Sequence, residues 1–128
     1  MKIIAIACGG VLGALLRYAV SGFTYRFTSA HSAFPWGTLA VNLAGCFAAG
    51  LLWGVSERAV LSPHFKPFVF VGVLGAFTTF STFGLESFHL LRDGEYAVAL
   101  FNIAANNLAG LLLLYLGYVA SQYLLRSA

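Results

Sequence analysis

The sequence predicts an all-α membrane protein, a single domain of residues 1–128 with four transmembrane helices. Two compositional observations exclude a soluble domain. Hydrophobic residues make up 60% of the 128 residues and charged residues only 9%, whereas about a quarter of a soluble domain is charged. The mean hydropathy is +0.87. Disorder is excluded by the same low charge, and a disulfide scaffold by the presence of only 2 Cys.

The third observation is the length of the apolar windows between charged residues. A spanning helix needs about 20 apolar residues, and the chain offers four windows close to that length. The connectors between them are short and carry turn residues, namely Pro35, Pro63 and the pair Asp93 and Gly94. The predicted windows run from Ile3 to Val20, Thr38 to Val55, Phe68 to Phe88 and Ala97 to Leu125.

The first window contains a face of small residues. Gly9 and Gly13 form a G-x-x-x-G pair, which is typical of close helix packing in lipid. Arg17 continues this face one turn further on, and two interpretations remain open for it: snorkelling to the headgroups, or a positive charge at the mouth of an anion path. The stretch before Cys8 is too short for a lipoprotein signal, so we expect a mature helix. No redox or metal role is expected for Cys8 or Cys46.

The second window carries one amide on a face of small residues. Thr38, Asn42, Gly45 and Ala49 share this face at helical spacing, while Gly50 and Gly54 form a second packing pair. A lone Asn in a membrane helix often does no more than bond to a neighbouring helix. Asn42 becomes a candidate for function because polar residues recur in the third window.

The middle of the third window predicts a break in the helix. Hydroxyl and phenyl side chains follow one another from Phe77 to Phe83, between Gly75 and Gly84. Hydroxyls compete for backbone hydrogen bonds and glycine relaxes the backbone. Unwound backbone at membrane depth is tolerated only where it lines a cavity or is buried in protein, and its carbonyls are good ligands for alkali cations.

Beyond the predicted break, polar groups and aromatic rings lie side by side. Thr79, Thr82 and Glu86 form a polar stripe, with Phe83 at its edge and Phe80 next to it. Phenyl rings have a positive edge, so two rings can hold an anion weakly without a basic residue. Ordinary core packing is the alternative for the rings. For Glu86, which lies near a helix end, two interpretations remain open. It is a solvated carboxylate, or it is the polar end of a track of polar side chains that an ion follows.

The fourth window adds two amides one turn apart. Asn102 and Asn106 share a face with Gly110, and they predict a polar track. Asn107 points to another side of a regular α-helix, so we expect it to make a packing contact. The predicted path is lined by neutral donors and ring edges, which suits a small anion. Four helices are too few to enclose a pore, and this predicts at least a homodimer.

The flanking charges give almost no orientation signal. Four basic residues lie on one side and three on the other, so the positive-inside bias is weak. Insertion in both orientations, with two opposed copies pairing in the membrane, is one interpretation, and a weak bias that still fixes one orientation is the other. The two groups are Lys2, Arg58, Lys66 and Arg126, against Arg17, Arg26 and Arg92.

Other function classes fit less well. A small proton-coupled multidrug exporter is the main alternative, but it needs a carboxylate deep in a helix, and the first two windows contain none before Glu57. An enzyme is not expected, because His31, His64 and His89 lie in connectors without the spacing of a triad or metal site. A purely structural assembly protein would not need the hydroxyl and phenyl run.

These residues resemble the Fluc (CrcB) family of fluoride channels. The similarity runs the length of the chain, and its most recognisable motifs lie in the first three helices. The third-helix motif is highly specific. The motifs are Gly13-Ala-Leu-Leu-Arg17-Tyr18, Trp36-Gly37-Thr38-Leu39 with Val41-Asn42-Leu43-Ala44-Gly45, and Gly75 with Thr78-Thr79-Phe80-Ser81-Thr82-Phe83.

The resemblance implies a dual-topology homodimer of antiparallel subunits in the bacterial inner membrane. Two pores would export fluoride passively and reject chloride, with no nucleic-acid partner. Phe80 and Phe83 would offer ring edges to fluoride, Asn42 would donate its amide, and Arg17 would lie in the aqueous vestibule. The polar track would comprise Thr79, Ser81, Thr82 and Glu86, with Asn102 and Asn106 added mainly by helical spacing. Carbonyls of Gly75 and Thr78 from both subunits would hold a structural Na⁺.

Overall fold

The computed structural model describes residues 1–28 and 32–126, and over these ranges it is helical with no strand. Four segments are long and apolar enough to cross a membrane. The predicted all-α fold with four spans is therefore confirmed. The segments are α1 (Lys2–Phe27), α2 (Trp36–Arg58), α3 (Pro67–Arg92) and α4 (Tyr96–Leu124).

The helices extend beyond the predicted windows. α1 continues to Phe27 and α3 to Arg92, so Ser21 and His89, which were expected in connectors, are helical. The predictions were wrong here because hydropathy marks only the apolar part of a helix. The polar and aromatic ends continue the helical backbone hydrogen bonds beyond the apolar part. His31, a further connector residue, lies outside the described residues.

α3 is not uniform along its length. Its first part, Pro67–Leu74, is π-helical with i→i+5 hydrogen bonds, and one α-helical turn, Gly75–Phe77, follows. Thr78 and Thr79 then have extended backbone, with ψ angles of 154° and 94°, and the helix resumes at Phe80. Backbone groups around these two residues therefore lack the partners that a continuous helix provides.

Glycines bring α1 against α3 and α2 against α4. Side chains at Gly9 and Gly13 would collide with the carbonyl oxygens of Phe68 and Val73. The G-x-x-x-G pair of α1 therefore is a packing face, as its spacing predicts. In the second pair of helices, Gly50 lies against the Leu114 carbonyl. The contact between α2 and the part of α4 from 110 to 124 is the most extensive in the fold.

α4 contains a second π-helical turn. The helix is α-helical over Tyr96–Ala104, π-helical over Ala105–Ala109 and α-helical again over Gly110–Leu124. Such single turns inside α-helices occur frequently at functional sites. This turn lies opposite the middle of α2, where Cys46 approaches Gly110.

Candidate functional site

The extended residues of α3 are attached to α2 through Asn42. The backbone N–H of Thr79 donates to Asn42 Oδ1 at 2.9 Å. In a continuous α-helix this N–H would bond to the carbonyl of Gly75, four residues earlier. Thr79 is buried, with 6% of its surface exposed, so its N–H needs a protein partner. Asn42 therefore stabilises the interruption of α3 by replacing one lost helical bond.

A chain of amides continues from Asn42 into α4. Asn42 Nδ2 donates to Asn106 Oδ1 at 2.8 Å, and Asn106 Nδ2 donates to Asn102 Oδ1 at 2.9 Å. Asn102 is fully buried and donates to Ser87 Oγ at 3.0 Å. Ser87 in turn donates to the Phe83 carbonyl at 2.8 Å. The chain returns to α3 one turn beyond the extended residues.

The direction of this chain follows from its first bond. The Thr79 N–H can only donate, so the Asn42 atom that faces it is the oxygen, and the nitrogen faces Asn106. Asn106 must then accept through its oxygen and donate onward, and its nitrogen also meets the Asn102 carbonyl at 3.0 Å. Backbone groups thus orient the amides of Asn42 and Asn106, and the Asn102 amide is held between Asn106 and Ser87, which makes the arrangement rigid.

A cavity of about 230 Å³ lies beside this chain. Phe80 and Phe83 form one wall, with ring centroids 5.6 Å apart and ring planes inclined at 53°. Phe83 is buried at 8% exposure, while Phe80 is 82% exposed and leaves the cavity open on one side. The cavity is lined by Asn42, Cys46, Thr78, Thr79, Phe80, Phe83, Asn106 and Asn107.

Other predicted site residues lie away from this cavity. Ser81 and Thr82 are on the exposed face of α3 and do not line the cavity. Glu86 accepts a hydrogen bond from the Thr38 hydroxyl at 2.7 Å, near the start of α2. Its second oxygen is buried without a hydrogen-bond partner among the described residues. Glu86 thus lies at the end of the α2 face that carries Asn42, in a separate cavity of about 290 Å³.

Arg17 and Gly75 have simpler surroundings. Arg17 is half-buried on α1, one turn beyond Gly13, and the one ion pair within residues 1–28 and 32–126 joins Arg92 to Asp93. A vestibular role for Arg17 remains a prediction. Gly75 is exposed at the end of the π-helical part of α3.

Sequence reasoning missed three residues of the site. Asn107 was expected to point elsewhere, but it lines the same cavity as Asn106. The expectation assumed α-helical spacing, and the π-helical turn changes that spacing. Ser87 carries the amide chain back to α3, and its i+4 spacing from Phe83 was the available signal. Cys46 lines the cavity one turn beyond Asn42.

The chain is similar over nearly its whole length to one protein family and to several relatives that share a name. Residues 4–118 match the family of CrcB-like proteins, described as Camphor Resistance (CrcB). A fluoride-specific ion channel FluC of Magnetococcus marinus is 45% identical over 123 residues, which are 95% of this chain and 98% of that one. The FluC of Desulforapulum autotrophicum is 46% identical, over 92% of this chain and 94% of its own. The FluC of Salinibacter ruber is 42% identical, over 98% and 92%.

Proposed function

The chain belongs to the CrcB family, and on that premise we propose that it is a membrane channel, not an enzyme, through which fluoride leaves the cell passively. The observation that supports this function best is the cavity between α2, α3 and α4. It combines phenyl rings with amide donors, and none of the described residues that line it is charged. The relatives named as fluoride-specific ion channels are similar to this chain over 95% and 92% of its length, which includes the segments that form the cavity.

The cavity lining matches the chemistry of a small, strongly hydrated anion. Fluoride loses its water only at a high free-energy cost unless close donors replace the hydration shell. Asn42 has two amide N–H groups and uses one for Asn106, so the other is available to an anion. The edges of Phe80 and Phe83 carry partial positive charge. Neutral donors hold the anion weakly enough for it to leave, which permeation requires.

Proton-coupled export of an organic cation is the alternative function, and the positions of the carboxylates argue against it. Among the described residues of α1 and α2 the one carboxylate is Glu57, at the end of α2. It accepts from Trp53 Nε1 at 2.9 Å and from the Tyr118 hydroxyl at 3.2 Å. Glu57 therefore joins two helix ends and does not lie at the depth that proton coupling requires.

The working unit in this proposal is an antiparallel homodimer with two pores. Phe80, Ser81 and Thr82 are exposed in the middle of the third span, and hydroxyls facing hydrocarbon would be unfavourable. A second copy against this face would cover them and close the open side of the cavity. The nearly balanced basic flanks, four against three, are compatible with insertion in both orientations. We place this dimer in the bacterial inner membrane.

The backbone beside the cavity suits a structural Na⁺. The N–H of Thr79 donates to Asn42, so it does not occupy the Gly75 carbonyl. The first bond that enters the following helix runs from the Phe83 N–H to the Thr79 carbonyl, one residue beyond Thr78. Carbonyl oxygens freed in this way are suitable ligands for an alkali cation. In the proposed dimer, Gly75 and Thr78 of both copies would hold the ion, which would stabilise the two interrupted segments against each other.

Passive conduction is sufficient for export. Fluoride crosses membranes as the neutral acid and dissociates at cytoplasmic pH, and the membrane potential then drives the anion outward through a selective path. In the proposed path, fluoride passes the amides and ring edges while Arg17 raises the local anion concentration at one mouth. Thr79, Ser81, Thr82 and Glu86, with Asn102 and Asn106, belong to the proposed polar track.

The decisive experiment is anion release from liposomes that contain the purified protein. Vesicles loaded with potassium fluoride or potassium chloride are diluted into an impermeant salt, and a potassium ionophore is added to balance charge. We expect rapid loss of fluoride and retention of chloride, read with ion-selective electrodes. If properly folded protein released neither ion faster than protein-free vesicles, the channel function would be wrong.

Replacement of Phe80 by isoleucine tests the ring edges. We expect fluoride release to slow by about tenfold or more, because an aliphatic side chain has no positive edge and a lost anion contact is worth about 1.5–3 kcal/mol. Phe88→Ile is the matched control, since Phe88 is on the same helix and does not line the cavity. Equal rates for the two variants would exclude Phe80 from the path.

A further inference from the structure

The π-helical turn of α4 changes which side chains reach the cavity. In a regular α-helix successive residues are separated by about 100°, so Asn106 and Asn107 would lie on different faces. Within Ala105–Ala109 the hydrogen bonds run from i to i+5. A residue at i+5 then lies one turn above residue i, which moves Asn107 towards the face of Asn102. Asn106 and Asn107 consequently both line the cavity.

We propose that Asn107 is a further ion-contacting residue of this cavity and contributes to its specificity for a small anion. The proposal rests on the channel function proposed above. Asn107 adds a donor from α4, while Asn42 donates from α2, so an ion in the cavity meets amides from two helices.

The hydrogen bonds distinguish Asn107 from its neighbour. Asn106 Nδ2 is engaged by two oxygens of Asn102, and its Oδ1 accepts from Asn42. Asn106 therefore has no N–H left for an ion, and its part in the proposed polar track is to orient the Asn42 amide. Asn107 Nδ2 donates to the Ile103 carbonyl at 2.7 Å, which uses one of two N–H groups and orients the amide, since a carbonyl can only accept. The second N–H of Asn107 is not used by any hydrogen bond among the described residues.

The size of the ion determines how well two such donors can be used. A small anion can approach an N–H at hydrogen-bond distance from both α2 and α4 within a narrow path, and these contacts replace part of its hydration shell. A larger anion is held further from at least one helix. Loss of the Asn107 donor should therefore reduce fluoride conduction and also reduce the discrimination against chloride.

Three substitutions at Asn107 test the proposal in the liposome assay. Asn107→Leu preserves the number and branching of the side-chain heavy atoms but removes the donor, and we expect fluoride release to fall by about tenfold with a lower fluoride-to-chloride ratio. Asn107→Asp preserves the shape but carries only acceptors, and its loss should be larger. Asn107→Ser is smaller, retains one donor and should recover part of the rate. Leu108→Ala, at the next and exposed position, is the control.

The outcomes separate this inference from the function on which it rests. If the unaltered protein releases no fluoride, the proposed channel function fails. If it does, but folded Asn107→Leu shows the same rate and the same anion ratio, Asn107 is not an ion contact. A purely structural role would change the unfolding temperature of all three variants without changing the anion ratio, and this result would also overturn the proposal. Where the leucine variant fails to fold, the serine and aspartate variants provide the same comparison.

Discussion

Replacement of Asn42 by alanine is expected to stop fluoride release. The substitution removes the free N–H that faces the cavity and also the two hydrogen bonds that join α2 to Thr79 of α3 and to Asn106 of α4. The buried N–H of Thr79 would be left without its partner, which costs about 1–3 kcal/mol of stability. Because positioning and ion contact are lost together, we expect the release rate to fall by about a hundredfold or more.

Two further variants separate these contributions. Asn42→Asp retains an acceptor for the Thr79 N–H but loses the donor, so it should preserve the extended residues and still block fluoride. Leu43→Ala changes the next residue of α2, which does not line the cavity, and serves as the control. Release rates and thermal unfolding are measured on the same preparations. Fluoride release by Asn42→Ala at the rate of the unaltered protein would show that the amide is not part of the path.

The Gly50→Ala variant is expected to lose most of its folded protein. A Cβ at Gly50 would overlap the Leu114 carbonyl oxygen and would lie 2.8 Å from the Leu114 carbonyl carbon and 2.9 Å from the Tyr118 nitrogen. These are backbone atoms of α4, so they cannot move aside without separating the two helices. Overpacking of this kind costs about 1–3 kcal/mol or more. The largest helix contact of the fold is affected.

The measurement is the yield of monodisperse protein and its unfolding temperature in detergent. Gly10→Ala is the matched control, because among the described residues no atom beyond the neighbouring backbone of α1 lies within 4 Å of a Cβ built there. Alanine is a better helix former than glycine by about 1 kcal/mol, so this variant should be as stable as the unaltered protein or slightly more stable. Equal yields and unfolding temperatures for Gly50→Ala and Gly10→Ala would contradict the packing argument.

The four spans and the main packing faces could be predicted from the sequence. Hydropathy and length are local properties, and they indicate where the chain must be helical because lipid offers no partners for the backbone. The spacing of Gly9 and Gly13, and of Thr38, Asn42 and Gly45, indicates one face on each of α1 and α2, and in the structure both faces contact α3. Helix ends were less accurate, since polar terminal turns do not contribute to the hydropathy signal.

The chain of amides could be predicted only in part from the sequence. The spacing of Asn102 and Asn106 predicts that they share a face, but it does not predict that Asn106 uses all its donors on Asn102. It also does not predict that Asn102 of α4 donates a hydrogen bond to Ser87 of α3. Such bonds depend on the distance between helices, which is a property of the packed bundle.

The sequence by itself determined that this protein is a four-span membrane protein with amides, hydroxyls and phenyl rings in its second, third and fourth helices, because these features depend on composition and helical spacing. Only the tertiary structure decided which of these groups meet. The π-helical turn of α4 brings Asn107 into the cavity, and the Thr79 N–H orients Asn42 and the amides beyond it. Both effects arise from backbone groups that must find partners within the packed helices, and a single segment of sequence does not contain those partners.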